Sequence, residues 1–276
     1  MQVASSDGVT VVVHDLGGDG APFLICHATG FCARAYGPMA ERLTARHHVW
    51  AVDFRGHGDT ARPANGRFDW RAMADDLEAV IAALTDEPLA VFGHSMGGGV
   101  SMLVEHRRPG TLRCAYLYEP IIVPTVDGFP TEGKDMMSEA ASRRRPRFPS
   151  KAEALMRYAS RPPLNALQAG ALAAYVEHGF ADDADGTARL KCLPEDEAAT
   201  FAADGKPTVD LVGTVQTPTT VAIGADDAGT WSPAMFGPAV VDAMPNATLE
   251  RYPALGHFGP LQDPALIAEA ILRSEC

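Results

Sequence analysis

Hydrophobic and polar positions along this 276-residue chain fall into two alternating rhythms. "GVTVVVHDLGG" is β-branched and closes in turn residues, the pattern of a strand. "APFLICHATG" is a second short apolar run ending in small residues. "AYGPMAERLTA" carries helical spacing, and "HHVWAVDFRGHGD" is a strand running into a glycine-punctuated loop. In "FDWRAMADDLEAVIAAL", Ala72, Leu77, Val80, Ile81 and Leu84 are available for one helical face, and Asp69 is placed to cap its start. "EPLAVFGH" then reads as a strand, "SMGGGVSMLVEHRR" as a helix and "LRCAYLYEP" as a strand. Strand and helix in turn, joined by short connections, predict a mostly parallel central sheet with helices on both faces.

The alternation breaks after about residue 123. From Pro124 to about Val212 there is no good strand, but there are helix-like stretches such as "KAEALMRYAS" and "NALQAGALAAYVEHGF". It returns with "TPTTVAIGADD", the helix "PAMFGPAVVDAM", the strand "ATLERYP" and a last helix, "DPALIAEAILRS". The expected organisation is therefore an α/β core domain of residues 1–123 and 213–276, interrupted by a helical insert, 124–212. No internal repeat or long low-complexity linker is visible.

Composition narrows the classes of partner. At 46% hydrophobic residues the chain can bury a full-sized core. Its net charge of −12 disfavours nucleic acid and anionic membrane surfaces. The opening "MQVASSDGVTVVVHDLGG" lacks a basic start followed by an apolar stretch and a small-residue cleavage site, so no signal peptide is expected. No apolar run approaches the roughly 20 residues of a spanning helix. The five cysteines, Cys26, Cys32, Cys114, Cys192 and Cys276, are odd in number and contain no CxxC pair. They read as small buried hydrophobes in a reducing cytoplasm, with neither a disulfide framework nor a zinc site.

The chemistry concentrates at "VFGHSMGGGV". Gly93-His94-Ser95-Met96-Gly97 is G-x-S-x-G between a strand and a helix, the context of a nucleophile elbow. So tight a turn strains the serine backbone, and Gly93 and Gly97 remove side chains that would collide there. A phosphate loop is the alternative, but no Lys follows at P-loop spacing and G-x-G-x-x-G is absent here. A serine needs a base, and the base an orienting acid. "YPALGHFGPLQDP" supplies His257 after the last strand, and "VAIGADDAGTWSP" supplies Asp226 and Asp227 after the preceding one. Glu119, closing "LRCAYLYEP", is another carboxylate at a strand end. No histidine pair has metal-ligand spacing with a carboxylate, so no metal is expected.

These stretches resemble the α/β-hydrolase superfamily, in its cap-bearing serine hydrolase and esterase branch. Four carry the likeness: "HATGF", "DFRGHGD", "GHSMGG" and "GHFGPLQDP". It covers nearly the whole chain outside the insert. The family usually shows His-Gly where this chain has His27-Ala28. The resemblance implies an α/β-hydrolase fold with a helical cap insertion. It implies a triad of Ser95, His257 and Asp227, the last chosen by a G-x-x-D pattern from Gly224. It also implies an oxyanion hole formed by the N–H groups of Met96 and Thr29. His27 is expected to hold its loop, His94 to point away from Ser95, and Asp53 and Arg55 to pin the loop bearing His57. Some members take the acid from the position of Glu119, which here ranks behind Asp227 as a group that supports the site or the fold.

The expected activity is cleavage of carboxylic esters of small to medium, largely hydrophobic substrates through an acyl-enzyme, without cofactor. The same machinery serves lactonases, thioesterases, carbon–carbon hydrolases and perhydrolases, and a non-catalytic binding protein ranks last. Met136, Met137, Leu155, Met156, Tyr158, Leu164, Leu167, Leu172, Tyr175 and Phe180 make the insert's core, a minority of them lining a pocket. "RRRPR", Arg143 to Arg147, reads as a solvated helix end rather than as an anion site.

Overall fold

The computed structural model describes residues 1–124, 131–225, 232–274 and 276, with the backbone alone for 131–135. In chain order its strands are β1 (Gln2–Ala4), β2 (Thr10–Asp15), β3 (Ala21–Cys26), β4 (His47–Asp53), β5 (Leu89–His94), β6 (Leu112–Tyr118), β7 (Arg147–Phe148), β8 (Phe180–Asp182), β9 (Ala188–Leu190), β10 (Thr219–Ile223) and β11 (Ala247–Arg251). Eight of them form one sheet in the order β1-β2-β4-β3-β5-β6-β10-β11. The pairs β1–β2 and β2–β4 are antiparallel, and every other neighbour is parallel. From β3 the chain moves to β4 on one side and then to β5 on the other. This reversal opens a crevice at the carboxyl ends of β3 and β5, where ligands of such sheets bind.

The helices are α1 (Gly37–Leu43), α2 (Trp70–Leu84), α3 (Met96–Arg107), α4 (Thr131–Ser142), α5 (Lys151–Ala159), α6 (Ala169–Gly179), α7 (Pro194–Ala202), α8 (Val209–Val212), α9 (Gly237–Ala243), α10 (Gly259–Gln262) and α11 (Pro264–Arg273). Side chains alternate across the strands and build a core on each face. Phe23 and Ile25 of β3 pack with Met39 and Leu43 of α1 and Ile267 and Ile271 of α11. Leu24 and Cys26 point the other way, towards Met73, Leu77 and Val80 of α2, Val100 and Val104 of α3, and Val240 of α9. The mostly parallel sheet with helices on both faces is thus as the patterning predicts. Asp69 caps α2 as expected, its Oδ1 accepting from the Arg71 N–H at 2.9 Å.

The chain meets itself on either side of the segment that follows Val123. Val123 N–H donates to Pro207 C=O, and Val209 N–H donates to Val123 C=O, both at 2.9 Å. Inside it, β7, β9 and β8 form a small antiparallel sheet that the sequence reading did not find. Strands of two or three residues are too short for an alternating pattern to register.

The cysteine reading is corrected at two positions. Cys114 at the start of β6 and Cys276 at the chain end are joined in a disulfide, while Cys26, Cys32 and Cys192 are free and buried. Parity and spacing could not show a pair 162 residues apart that the fold alone brings together. The cytoplasmic expectation rested in part on unpaired thiols, and this bond removes that part of its support. Among the described residues, no helix is long and apolar enough to cross a membrane.

Candidate active site

Ser95 stands between β5 and α3 with φ 54° and ψ −113°, outside the regions an L-residue ordinarily occupies. Such a conformation costs of order 1–3 kcal/mol and persists only where the surroundings enforce it. Here the enforcement is visible. Ser95 N–H donates to Tyr118 C=O at 3.0 Å, and Ile121 N–H donates back to Ser95 C=O at 3.1 Å. The flanking glycines permit a close approach to the neighbouring backbone. A Cβ on Gly93 would meet Gly98, and one on Gly97 would meet the carbonyl of Cys26 on β3. Met96 opens α3, so its N–H has no carbonyl one turn earlier to bond.

His257 lies beyond β11, and its Nδ1 is 2.7 Å from Glu119 Oε2. The Glu119 carboxylate is fully buried, whereas the imidazole is 29% exposed. Glu119 Oε1 accepts the Gly224 N–H at 2.8 Å, and the Glu119 N–H donates to Ala222 C=O at 2.8 Å. Both carboxylate oxygens are therefore occupied, which fixes Nδ1 as the protonated nitrogen of neutral His257 and leaves Nε2 as the acceptor. Asp226 and Asp227 lie outside the described residues. The imidazole bond that the sequence reading gave to Asp227 is made by Glu119.

A chain of neutral hydrogen bonds ties the loop after β3 to both of these elements. Ala28 N–H donates to Tyr36 Oη at 3.1 Å, and that hydroxyl lies 2.7 Å from His94 Nδ1. His94 Nε2 lies 2.8 Å from the His257 carbonyl, which can only accept. Nε2 must then carry the proton, and the tyrosine must donate to Nδ1. Burial holds the His94 pKa well below that of a free imidazole, so the neutral form this bridge needs is maintained. On the same loop, His27 Nδ1 donates to Ala28 C=O at 2.8 Å and Nε2 accepts from Phe54 N–H at 3.0 Å. Tyr175 of α6 donates to Gly30 C=O at 3.0 Å and accepts from Arg144 at 2.7 Å. Arg144 is also paired with Glu197 of α7.

The loop after β4 is pinned through Asp53 and Arg55. Asp53 accepts the N–H groups of Ala33 and Asp59, and fully buried Arg55 pairs with fully buried Asp76. His57 donates from Nδ1 to Arg55 C=O, and burial presses its pKa down to about 3. His14, Asp53 and Asp59 gather donor atoms within 4.8 Å of one another. Those atoms are already engaged: His14 with Asp53, and Asp59 with Arg34 and Lys191.

A model of the alpha/beta hydrolase family matches residues 23–270. The chain belongs to the alpha/beta hydrolase family. Over 84 residues it is 36% identical to the magnesium-chelatase 30 kDa subunit of Rhodobacter capsulatus, a stretch that spans 30% of each protein. Its fold is like that of E-2-(acetamidomethylene)succinate hydrolase, with a TM-score of 0.82 at 21% identity over 100% of this chain and 98% of the other. It is also like that of an esterase from Exiguobacterium antarcticum, with a TM-score of 0.76 at 20% identity over 100% and 99% of the two chains.

In this family member Ser95, His257 and the Ala28–Phe31 loop line one cavity of about 450 Å³. Thr29, which the sequence reading paired with Met96, is in that lining. The insert supplies the facing wall, including Met137, Tyr158, Leu164 and Tyr175. Of the other candidate pocket residues, Met136 and Met156 point to solvent at 57% and 58% exposure, and Phe180 is buried in the core. The "RRRPR" run does follow the end of α4, and Arg143, Arg145 and Arg147 are exposed as a solvated helix end requires, Arg143 pairing with Glu139 one turn back; Arg144 departs from that reading, turned inward to Glu197. Arg143, Arg144 and Arg145 line the cavity, while Arg147 pairs with Asp183 and Asp185.

Proposed function

We propose that this hydrolase cleaves carboxylic esters of small molecules through an acyl-enzyme on Ser95. The observation that carries the reading is the shared cavity. Ser95 at its strained turn and His257 open onto the same space, and the far nitrogen of His257 is held by a buried carboxylate. Ser95 Oγ gives its proton to His257 Nε2 as the Oγ–acyl bond forms. The alcohol leaves with that proton as the ester C–O bond breaks. Water then repeats the exchange, releasing the acid and restoring Ser95. Glu119, in place of Asp227, keeps Nδ1 protonated and stabilises the imidazolium that forms in each half-reaction.

The N–H groups of Met96 and Thr29 receive the oxyanion, a contribution of ~10²–10³ in rate for each donor. Insert residues 124–212 act as the cap that shapes the substrate space, and the chemistry needs no cofactor. The esterase likeness fits this activity, and the acidic surface argues against nucleic acid and membrane partners. Ser95→Ala tests it directly. On p-nitrophenyl butyrate the variant is expected to fold normally, lose on the order of 10⁶ in kcat, and no longer be labelled by an organophosphate. Activity within tenfold of the parent enzyme would remove the mechanism.

A further inference from the structure

Five arginines line the cavity that Ser95 and His257 share: Arg143, Arg144 and Arg145 after α4, Arg157 in α5, and Arg161 just beyond it. Among the described residues a single carboxylate, Glu197, stands in the same lining. This concentration of cations belongs to a protein with a net charge of −12, so it does not follow from overall composition.

Three of the five are engaged. Arg144 is bound to Glu197 and Tyr175, Arg143 pairs with Glu139, and Arg145 donates to Arg147 C=O while lying over the Phe148 ring. Arg157 and Arg161 have no carboxylate partner among the described residues. Like charges gathered without counter-charge repel one another, and a guanidinium fork matches a carboxylate in geometry as well as in sign. The rest of the wall is largely apolar, including Phe31, Leu164 and Phe258. A cavity of about 450 Å³ admits a small molecule rather than a polymer.

We infer that the substrate of this hydrolase is an ester that also bears a carboxylate. Arg157 and Arg161 hold that anionic group while the scissile carbonyl reaches Ser95. This rests on the proposed esterase reading and narrows it from hydrophobic esters to anionic ones. The bonds made and broken are those of the acyl transfer above, because the distal carboxylate takes no part in the chemistry.

The test compares substrates in which a carboxylate is present or masked as its methyl ester. Mono-p-nitrophenyl adipate is set against p-nitrophenyl methyl adipate, and 4-acetoxybenzoate against its methyl ester, which places the carboxylate on the acyl side and on the leaving side in turn. At 20 mM salt, at least one acid is expected to exceed its neutral partner tenfold or more in kcat/KM. That ratio should shrink at 500 mM salt, as attraction to the exposed Arg157 and Arg161 is screened. In Arg157→Gln/Arg161→Gln, shown by a thermal melt to be folded, the ratio should fall at least fivefold. A ratio at or below one for both pairs, or a ratio the double variant leaves unchanged, would overturn the inference while leaving the esterase reading standing. Binding gives a second arm that survives failure of that reading. By calorimetry, Ser95→Ala protein should bind monomethyl adipate at least tenfold more tightly than dimethyl adipate. Equal binding of the two, or no binding of either, counts against the anion site.

Discussion

Replacing Glu119 by Gln separates shape from charge at the centre of the proposed mechanism. The side chain is fully buried, and its two oxygens face two donors, the Gly224 N–H at 2.8 Å and His257 Nδ1 at 2.7 Å. A carboxylate accepts both, whereas an amide offers one acceptor and one donor. If the Gln oxygen stays on Gly224, its NH₂ faces Nδ1, which must then accept. The imidazole proton moves to Nε2, the nitrogen that has to take the proton of Ser95. The opposite orientation sets NH₂ against a buried N–H and leaves that donor unsatisfied at about 1–3 kcal/mol, so the first orientation prevails. The equivalent carboxylate-to-amide change in a serine protease costs about 10⁴ in kcat, which corresponds to roughly 5.5 kcal/mol of transition-state stabilisation. The expected result on p-nitrophenyl butyrate is a loss of that size, with stability lowered by about 1.5–3 kcal/mol for the lost charged hydrogen bonds. Asp227→Asn, assayed beside it, should stay within tenfold of the parent enzyme. A nearly silent Glu119→Gln together with a severe Asp227→Asn would refute the assignment and return the acid to the strand-end motif after β10.

The bridge from Ala28 through Tyr36 and His94 to His257 makes Tyr36 a positioning residue. Tyr36→Phe should lower stability by about 1–3 kcal/mol and slow acylation towards the ~10²–10³ cost of losing an oxyanion donor; an altered melt with an unchanged acylation rate would make the bridge purely structural. Burial lowers the pKa values of His27, His57 and His94, so these groups take up protons on unfolding once the pH falls below the free-imidazole value. The unfolded chain then binds more protons, and stability should drop by about 1 kcal/mol per pH unit for each of them between pH 6.5 and the folded values. A melting temperature that is flat from pH 7 to pH 5 would contradict this.

Much of the site was legible because it is local. The elbow is written in five consecutive residues, Gly93 to Gly97, and the glycines flanking Ser95 report on backbone contacts within a few ångströms. His257 is likewise announced by its own turn, "GHFG". What escaped is what depends on strand order or on distant partners. That Glu119 contacts His257 follows from which strand end meets it across the sheet, and no spacing along the chain encodes that. Arg144 looked like part of a solvated run because its carboxylate, Glu197, lies 53 positions later. Arg157 and Arg161 sit on and just after a different helix from the "RRRPR" run, so their convergence on one cavity is a property of the fold. The Cys114–Cys276 bond belongs to the same class, since only the docking of α11 brings the chain end to β6.

Drawing the acid from β6 has a steric consequence that can be tested. The sheet runs β6-β10-β11, so a carboxylate leaving β6 must cross the end of β10 to reach an imidazole that follows β11. Two strand spacings amount to about 10 Å. Gly224 occupies the crossing point. Its N–H steadies Oε1, and a Cβ there would stand 3.0 Å from that oxygen while also pressing on the carbonyls of Leu255 and Gly256, the two residues before His257. The longer reach of Glu over Asp and the bare backbone of Gly224 are two halves of one solution. Gly224→Ala should therefore displace acid and base together, lowering kcat at least tenfold and costing about 1–3 kcal/mol of stability for the overpacking. Glu119→Asp withdraws the carboxylate by about 1.5 Å, which takes the 2.7 Å contact beyond hydrogen-bond length unless the loop follows; its kcat should fall between those of the parent enzyme and Glu119→Gln. Parental kcat and melting temperature in Gly224→Ala would show that the crossing has room to spare, and the dependence of this site on a glycine after β10 would have to be abandoned.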